Sequence, residues 1–198
     1  AGYAEQTDGR RYGAGPKMAR PQKSELEDVI ERREKLHDML TGLVEATREC
    51  AHMAVLVGTK VWYIDKIASP LPLKVDHPIG SLAPLHCTAL GKAFLAFGDA
   101  KDAGVLERFT AKTITDSAGL RSEIEATRKR GYSIDNEEFS DGVSCVAAPI
   151  YDGDGRMAAA IGLSGPAARN NPARLAELGE LLLEHSKADK QPDIGSGT

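Results

Sequence analysis

The sequence has few cysteines, no surplus of positive charge and no long apolar run. Cys50, Cys87 and Cys145 are the only cysteines, and they sit in apolar or strand-like surroundings without CxxC spacing. That spacing argues against a disulfide framework and for reduced thiols in a cytoplasmic protein. Lys and Arg number 25 against 29 Asp and Glu, a net charge of -4. With a pI near 5.8 there is no global basic footprint for nucleic acid, so any work on DNA falls to another portion of the protein. No apolar run approaches the length of a membrane span, and the start, AGYAEQTDGRR, has no signal-peptide core. Internal repeats are absent too. What is present is 198 residues, 41% of them apolar, enough for one domain of ordinary size plus an appendage.

The most informative stretch runs from Gly131 to Pro166. It reads as a short strand (Tyr132 to Asp135), an acidic loop, and two apolar strands joined by Asp152-Gly153-Asp154-Gly155, a turn rich in the residues a tight hairpin needs. In the last strand, alternation puts Met157, Ala159, Ile161 and Leu163 on one face and Ala158, Ala160, Gly162 and Ser164 on the other. The preceding strand sets Val143, Cys145 and Ala147 against Ser144, Val146, Ala148 and Ile150. Neither face is charged, so both are expected to be covered. A face floored by Gly, Ala, Cys and Ser leaves room above it for a closely packed helix or for a small ligand. Asp135 and Ser164 are the candidate polar groups at its edge.

Elsewhere, Gly2-Tyr3 and Arg10-Arg11-Tyr12 read as two short strands around Asp8-Gly9. Ser24-Glu25-Leu26-Glu27 opens a long amphipathic helix reaching to Cys50, with Leu26, Val29, Ile30, Leu36, Met39, Leu40, Leu43, Val44 and Thr47 along its apolar stripe. A hairpin follows from Ala51 to Ile67, turning near Gly58. Leu71 to Val75 reads as an edge strand, given the prolines at 70, 72 and 78. A helix begins at Cys87 or Thr88 and ends at Gly98, expected as a left-handed cap; its first-turn N–H groups favour an anion such as a carboxylate. Short helices are expected at 99 to 109 and from Thr115-Asp116 to Arg130, and a last one at 172 to 187 precedes a polar tail.

Two constellations invite chemistry. His86-Cys87 suggests a thiol nucleophile, but adjacent residues seldom face each other and no third orienting group can be placed. Cys50-Ala51-His52 is a possible metal pair whose spacing is not that of a closed zinc site.

The motifs Gly131-Tyr132-Ser133-Ile134-Asp135, Glu137-Glu138, Gly142 to Ile150, Asp154-Gly155 and Ser164-Gly165-Pro166, with Pro84 to Ala93 and the helix from Leu120 to Gly131 upstream, resemble the effector-binding domain of IclR-family transcriptional regulators. The resemblance runs from Ser24 to about Lys187. It implies an α+β, GAF-like fold: a curved antiparallel sheet of about six strands with helices on both faces and a long N-terminal helix. It implies three regions: residues 1–21 as a remnant of a winged-helix wing and linker, 22–188 as the effector-binding domain, and 189–198 as a flexible tail. The DNA-binding domain is otherwise missing, as if the chain were cut inside the wing. Carried over by position, the effector pocket maps to Ala89, Leu90, Asp135, Val143, Cys145, Gly162 and Ser164, with no catalytic residue, cofactor or metal. The implied partners are a small organic or aromatic acid, other copies in a homodimer or tetramer, and operator DNA through the missing domain only. Glu138 is the family's acidic loop position. Two departures bear on the pocket: Gly162 stands where some relatives have Ser, which removes a side chain and is expected to enlarge the cavity, and Leu90 is bulkier than its counterpart in some relatives. The competing readings are a GAF-like oligomerisation module whose cavity is filled by side chains, and a thiol enzyme of the GAF-like sulfoxide-reducing kind.

Overall fold

The structure is a computed structural model that describes residues 4–7, 11–14, 25–75 and 77–188. The chain divides into two compact units, residues 1–35 and 36–198. In the first, β1 (Ala4–Thr7) and β2 (Arg11–Ala14) pair antiparallel with Thr7 opposite Arg11, either side of the Asp-Gly pair. The long helix α1 spans Glu25–Thr47, and from Leu36 onward its Leu36, Leu40, Leu43 and Val44 are buried at the expected spacing of three and four. The capping residue Ser24 and the tail after residue 188 lie outside the described residues.

The second unit is built on six antiparallel strands: β3 (Cys50–Val57), β4 (Lys60–Ile67), β5 (Leu82–Pro84), β6 (Ser133–Asn136), β7 (Val143–Tyr151) and β8 (Met157–Pro166), in spatial order β5-β4-β3-β8-β7-β6. The sheet curls into a half-barrel. Its centre is the pairing of β3 with β8, which sets Cys50 opposite Ser164 and His52 opposite Gly162.

Both faces are covered, as their lack of charge requires. On one, Ala54, Val61, Tyr63, Ala83, Ala147 and Ala160 pack against Ala89, Leu90, Ala93 and Phe94 of α2 (Ala89–Phe97). The small strand residues let the helix approach closely. On the other face lie Ala51, Met53, Val146, Ala148, Ile161 and Leu163, all fully buried, with α4 (Pro172–Ala188) across β7 and β8. Leu175, Leu178 and Leu182 of α4 are buried to 1% or less, each contributing about 1.5–3 kcal/mol. On that same face Asp65, opposite Met53, meets His37 of α1 at 2.7 Å. Helix α3 (Ser117–Arg130) packs on α2 through Leu120, Ile124 and Ala96. Its ends follow the sequence: the Asp116 carboxylate accepts the N–H groups of Ala118 and Gly119, and Gly131 at φ 88° closes it in the left-handed region.

Four expectations are corrected. Residues 71–75 form no strand; the carbonyls of Leu73 and Val75 go to Arg169 (3.2 Å) and the Cys50 thiol (2.7 Å), and β5 takes the edge instead. Residues 99–109 form no helix, because the Asp102 side chain takes the Gly104 N–H (2.9 Å) and Gly104 sits at φ 73°. Gly98 caps α2 in an extended conformation (φ -100°, ψ -170°), with its N–H on the Phe94 carbonyl at 3.0 Å. Met157 lies on the α2 side of the sheet. Tyr151 pairs with Met157 and Ile150 with Ala159, so Ala158 is a bulge that inverts the alternation of the strand's first residue. No helix among the described residues is long and apolar enough to cross a membrane.

Candidate ligand-binding cavity

Antiparallel register aligns side chains across the sheet in rows. One row reads Asp135, Cys145, Ser164, Cys50; the next reads Ser133, Ala147, Gly162, His52. Where these rows pass beneath the start of α2 a cavity opens, about 380 Å³ with its mouth included. Its closed part has room for on the order of one or two water molecules. The seven positions singled out in the sequence, Ala89, Leu90, Asp135, Val143, Cys145, Gly162 and Ser164, all line it. So do His52, Tyr63, His77, Thr88, Phe139 and Ser140, which sequence reasoning did not assign to it.

The helix end of the cavity is fixed by Thr88. Its Oγ1 accepts the Gly91 N–H (3.1 Å) and donates to the Pro84 carbonyl (2.7 Å). Gly91 is required there because a Cβ would sit 2.4 Å from the Leu85 Cα. The space that Gly91 spares is thus filled by the preceding backbone. The N–H groups of Ala89 and Leu90, which the helix leaves without intrahelical acceptors, belong to two residues of the cavity wall.

At the sheet, the Ser164 hydroxyl meets His52 Nδ1 at 3.1 Å. Tyr63 and His77 stack with ring centroids 5.2 Å apart, and His52 stands edge-on to Tyr63 at 5.6 Å. Asp135 is buried, and its Oδ1 accepts the N–H groups of Glu138 (2.7 Å) and Phe139 (3.4 Å). Burial pushes its carboxyl up to about 7, against the pull of those bonds and of Lys92. Burial also holds the Cys145 thiol and the Tyr63 phenol protonated, both raised well above their ordinary values.

Behind this wall lies a buried ion pair. Lys92, fully buried, reaches Glu138 Oε1 at 2.5 Å and Glu123 at 3.7 Å. Burial raises the Glu138 carboxyl while Lys92 lowers it. Thr113 donates to the Glu138 carbonyl (2.6 Å) and Thr110 to that of Glu137 (2.7 Å), so residues 110–113 brace the acidic loop. Glu137 holds φ 61°, a strained value for a residue with a side chain, stabilised by Lys112 and by the Gly142 N–H on its carboxylate.

The roof, residues 69–75 and 77–80, is tied by Cys50 to the Val75 carbonyl, by the Ser69 hydroxyl to the Arg48 carbonyl just past α1 (2.5 Å), by Arg169 to the Leu73 carbonyl, and by the Gly80 N–H to the Tyr63 carbonyl (2.8 Å). Arg169 is itself held bidentate by buried Glu49 at 2.6 and 2.8 Å.

His86 is buried with Nε2 on the Glu107 carbonyl (2.9 Å), and burial pushes the Cys87 thiol up to about 12. The Cys50 sulfur binds the Val75 carbonyl and the Ser69 N–H. Among the described residues no group of three or more His, Cys, Asp or Glu is placed to hold a metal ion. Gly162 also departs from expectation: a Cβ there would stand 2.9 Å from the Val146 carbonyl and 3.3 Å from Leu90 Cδ2. Leu90 has occupied the space the missing side chain would have left.

A family profile described as "Bacterial transcriptional regulator IclR C-terminal" matches residues 27–189. The transcriptional regulator BhcR of Paracoccus denitrificans is 36% identical over 160 residues, which cover 78% of this chain and 57% of that protein. The chain therefore spans little more than half of that relative. The crystal structure of Thermotoga maritima IclR superposes with a TM-score of 0.74 at 30% identity, covering 96% of this chain and 81% of that one. The inducer-binding domain of Acinetobacter PobR, a double mutant solved with 3-hydroxybenzoic acid, gives 0.71 over 80% of this chain and 97% of that one; at 24% identity it speaks for the fold alone.

Proposed function

The chain belongs to the IclR family of bacterial transcriptional regulators, as its C-terminal domain, and we propose that it senses a small organic or aromatic acid in the cavity beneath α2. One observation carries the reading. Seven positions chosen from the sequence, spread from 89 to 164, converge on one cavity with a helix N-terminus at one end and Ser164, His52 and Asp135 at its sheet edge. A carboxylate would take the first-turn amides, a hydroxyl or keto oxygen would take Ser164 or Asp135, and the ligand body would lie on Leu90, Val143 and Cys145. The closed interior is small, so entry requires the roof or the 137–142 loop to give way.

Because the roof is bonded to Arg48, just past the end of α1, and through Arg169 to Glu49 beside it, ligand-dependent movement of the roof has a mechanical route to that helix. The rest of the proposal is that of a regulator: the β1–β2 hairpin as a winged-helix wing, residues 22–188 as sensor and oligomerisation domain, copies joined as a dimer or tetramer in the cytoplasm, and effector differential affinity for two arrangements changing operator binding. Regulation by binding rather than catalysis is supported by the protonated Cys87 and by His86, whose Nε2 is held on the Glu107 carbonyl.

A second reading has its own support. The contact of Leu90 over Gly162 and the small closed volume fit a module that oligomerises with its cavity filled by side chains. A thermal-shift screen against keto acids, hydroxy acids, sugar acids and hydroxybenzoates separates the two. A ligand at about 100 times its dissociation constant adds roughly 2.7 kcal/mol of stability, and Ser164→Ala is expected to diminish that shift. Silence across the panel favours the filled module.

A further inference from the structure

The charges around the cavity constrain what can enter it. None of the described residues lining it is Lys or Arg. The nearest buried cation, Lys92, is paired with Glu138 behind the wall. Its one lining acid is Asp135, and the groups that face or surround that carboxyl are all accounted for by element. Cys87 belongs to the segment leading into α2 and Lys92 to α2 itself, Glu138 to the loop that follows β6, Tyr63 to β4 and Cys145 to β7. Across the cavity stand His52 of β3 and His77 of the roof, and Glu123 of α3 stands behind Lys92. A carboxylate entering here meets the partial positive charge of the α2 N-terminus but no fixed cation, and an ionised Asp135 would repel it.

We propose that the cavity takes a small monocarboxylate together with one proton from solvent, carried on Asp135, and rejects dianions. The inference rests on the ligand-binding reading above and deepens it. Asp135 suits the role geometrically because its Oδ1 is held by two backbone N–H groups, which leaves Oδ2 to carry the proton and donate it to a ligand oxygen. Burial brings its carboxyl up to about 7, so the proton is readily available at neutral pH. The sign follows: below pH 7 Asp135 is already protonated and affinity is flat, and above it affinity falls roughly tenfold per pH unit.

The test is calorimetric titration of the whole chain with pyruvate, lactate and 3-hydroxybenzoate, each beside its neutral amide, and with malonate and inorganic phosphate, from pH 6 to 9. The expected result is a carboxylate affinity that drops about tenfold between pH 8 and 9, a flat profile for the amide, and, at pH 8 and above where malonate and phosphate are both dianions, no stronger binding by either. Titrations at pH 8.5 in two buffers of different ionisation enthalpy should return about one proton taken up per ligand, which needs no variant. Asp135→Asn, whose amide oxygen can still accept both N–H groups, should flatten the profile. A pH-independent carboxylate affinity overturns the proposal, as does tighter binding of malonate or phosphate. A profile that survives Asp135→Asn but vanishes in His52→Gln or His77→Gln overturns the assignment of the proton. Failure of every acid and every amide at every pH refutes the ligand-binding reading itself, a distinct result.

Discussion

Replacing Lys92 with Met tests whether the acidic loop is held by a buried ion pair. The side chain of Lys92 is 0% exposed and that of Glu138 only 10%, so the substitution strands a carboxylate where water cannot solvate it. Glu138 Oε2 already lacks a hydrogen-bond partner, which leaves the lysine as its main compensation. Removing one member of such a pair costs about 3–5 kcal/mol, which at this domain size lowers the melting temperature by about 10 °C. The loss must depend on pH. Lys92 lowers a Glu138 carboxyl that burial raises, so without it the folded-state value climbs further above the unfolded one. A carboxyl raised by folding contributes most below its unfolded value and loses that contribution as pH rises through the folded one. Urea denaturation should therefore find Lys92→Met more damaging at pH 8 than at pH 5. The double variant Lys92→Met/Glu138→Leu, which leaves no stranded charge, should recover most of the stability. A loss below about 1 kcal/mol at pH 8, or a larger loss at pH 5, would refute the reasoning.

Gly162→Ala places a methyl 2.9 Å from the Val146 carbonyl and against Leu90. It should cost about 1–3 kcal/mol by urea denaturation and abolish ligand-induced stabilisation; a more stable variant would mean that the space is empty. Cys87, buried and with its thiol pushed up to about 12, should resist iodoacetamide at pH 7.5 in the folded protein and react once urea unfolds it. Rapid labelling of the native protein at Cys87 would contradict that environment and reopen thiol chemistry.

The elements with long, uniform periodicity were legible in the sequence: α1 and α4 from spacings of three and four, β7 and β8 from alternation, α3 from its caps. The seven cavity positions were legible because the family motifs and the small-residue face of β8 point to the same place. What local pattern could not supply was pairing at a distance. His52 and Tyr63 join the cavity only because β3 lies beside β8 and β4 beside β3, which no alternation within β3 or β4 reveals. His77 and Phe139 sit on irregular segments that have no period to read. Two of the errors share a cause as well: a side chain claimed the backbone group that regular structure would have used. Asp102 takes the Gly104 N–H where a helix was expected, while Cys50 and Arg169 take the carbonyls of an expected strand. At Ala158 a single bulged residue is enough to send Met157 to the opposite face.

The central pairing of β3 with β8 also governs how the domain can be made. β8 leaves the ribosome about ninety residues after β3 and β4, an interval of roughly 5–20 s at ordinary elongation rates. During that interval Ala51, Met53 and Ala54, each 0% exposed in the folded chain, have no strand on one side and an open ladder of backbone groups. The β3–β4 hairpin is therefore the segment a nascent-chain chaperone would need to shield. The cavity itself, floored by both central strands, does not exist until translation has passed Ser164.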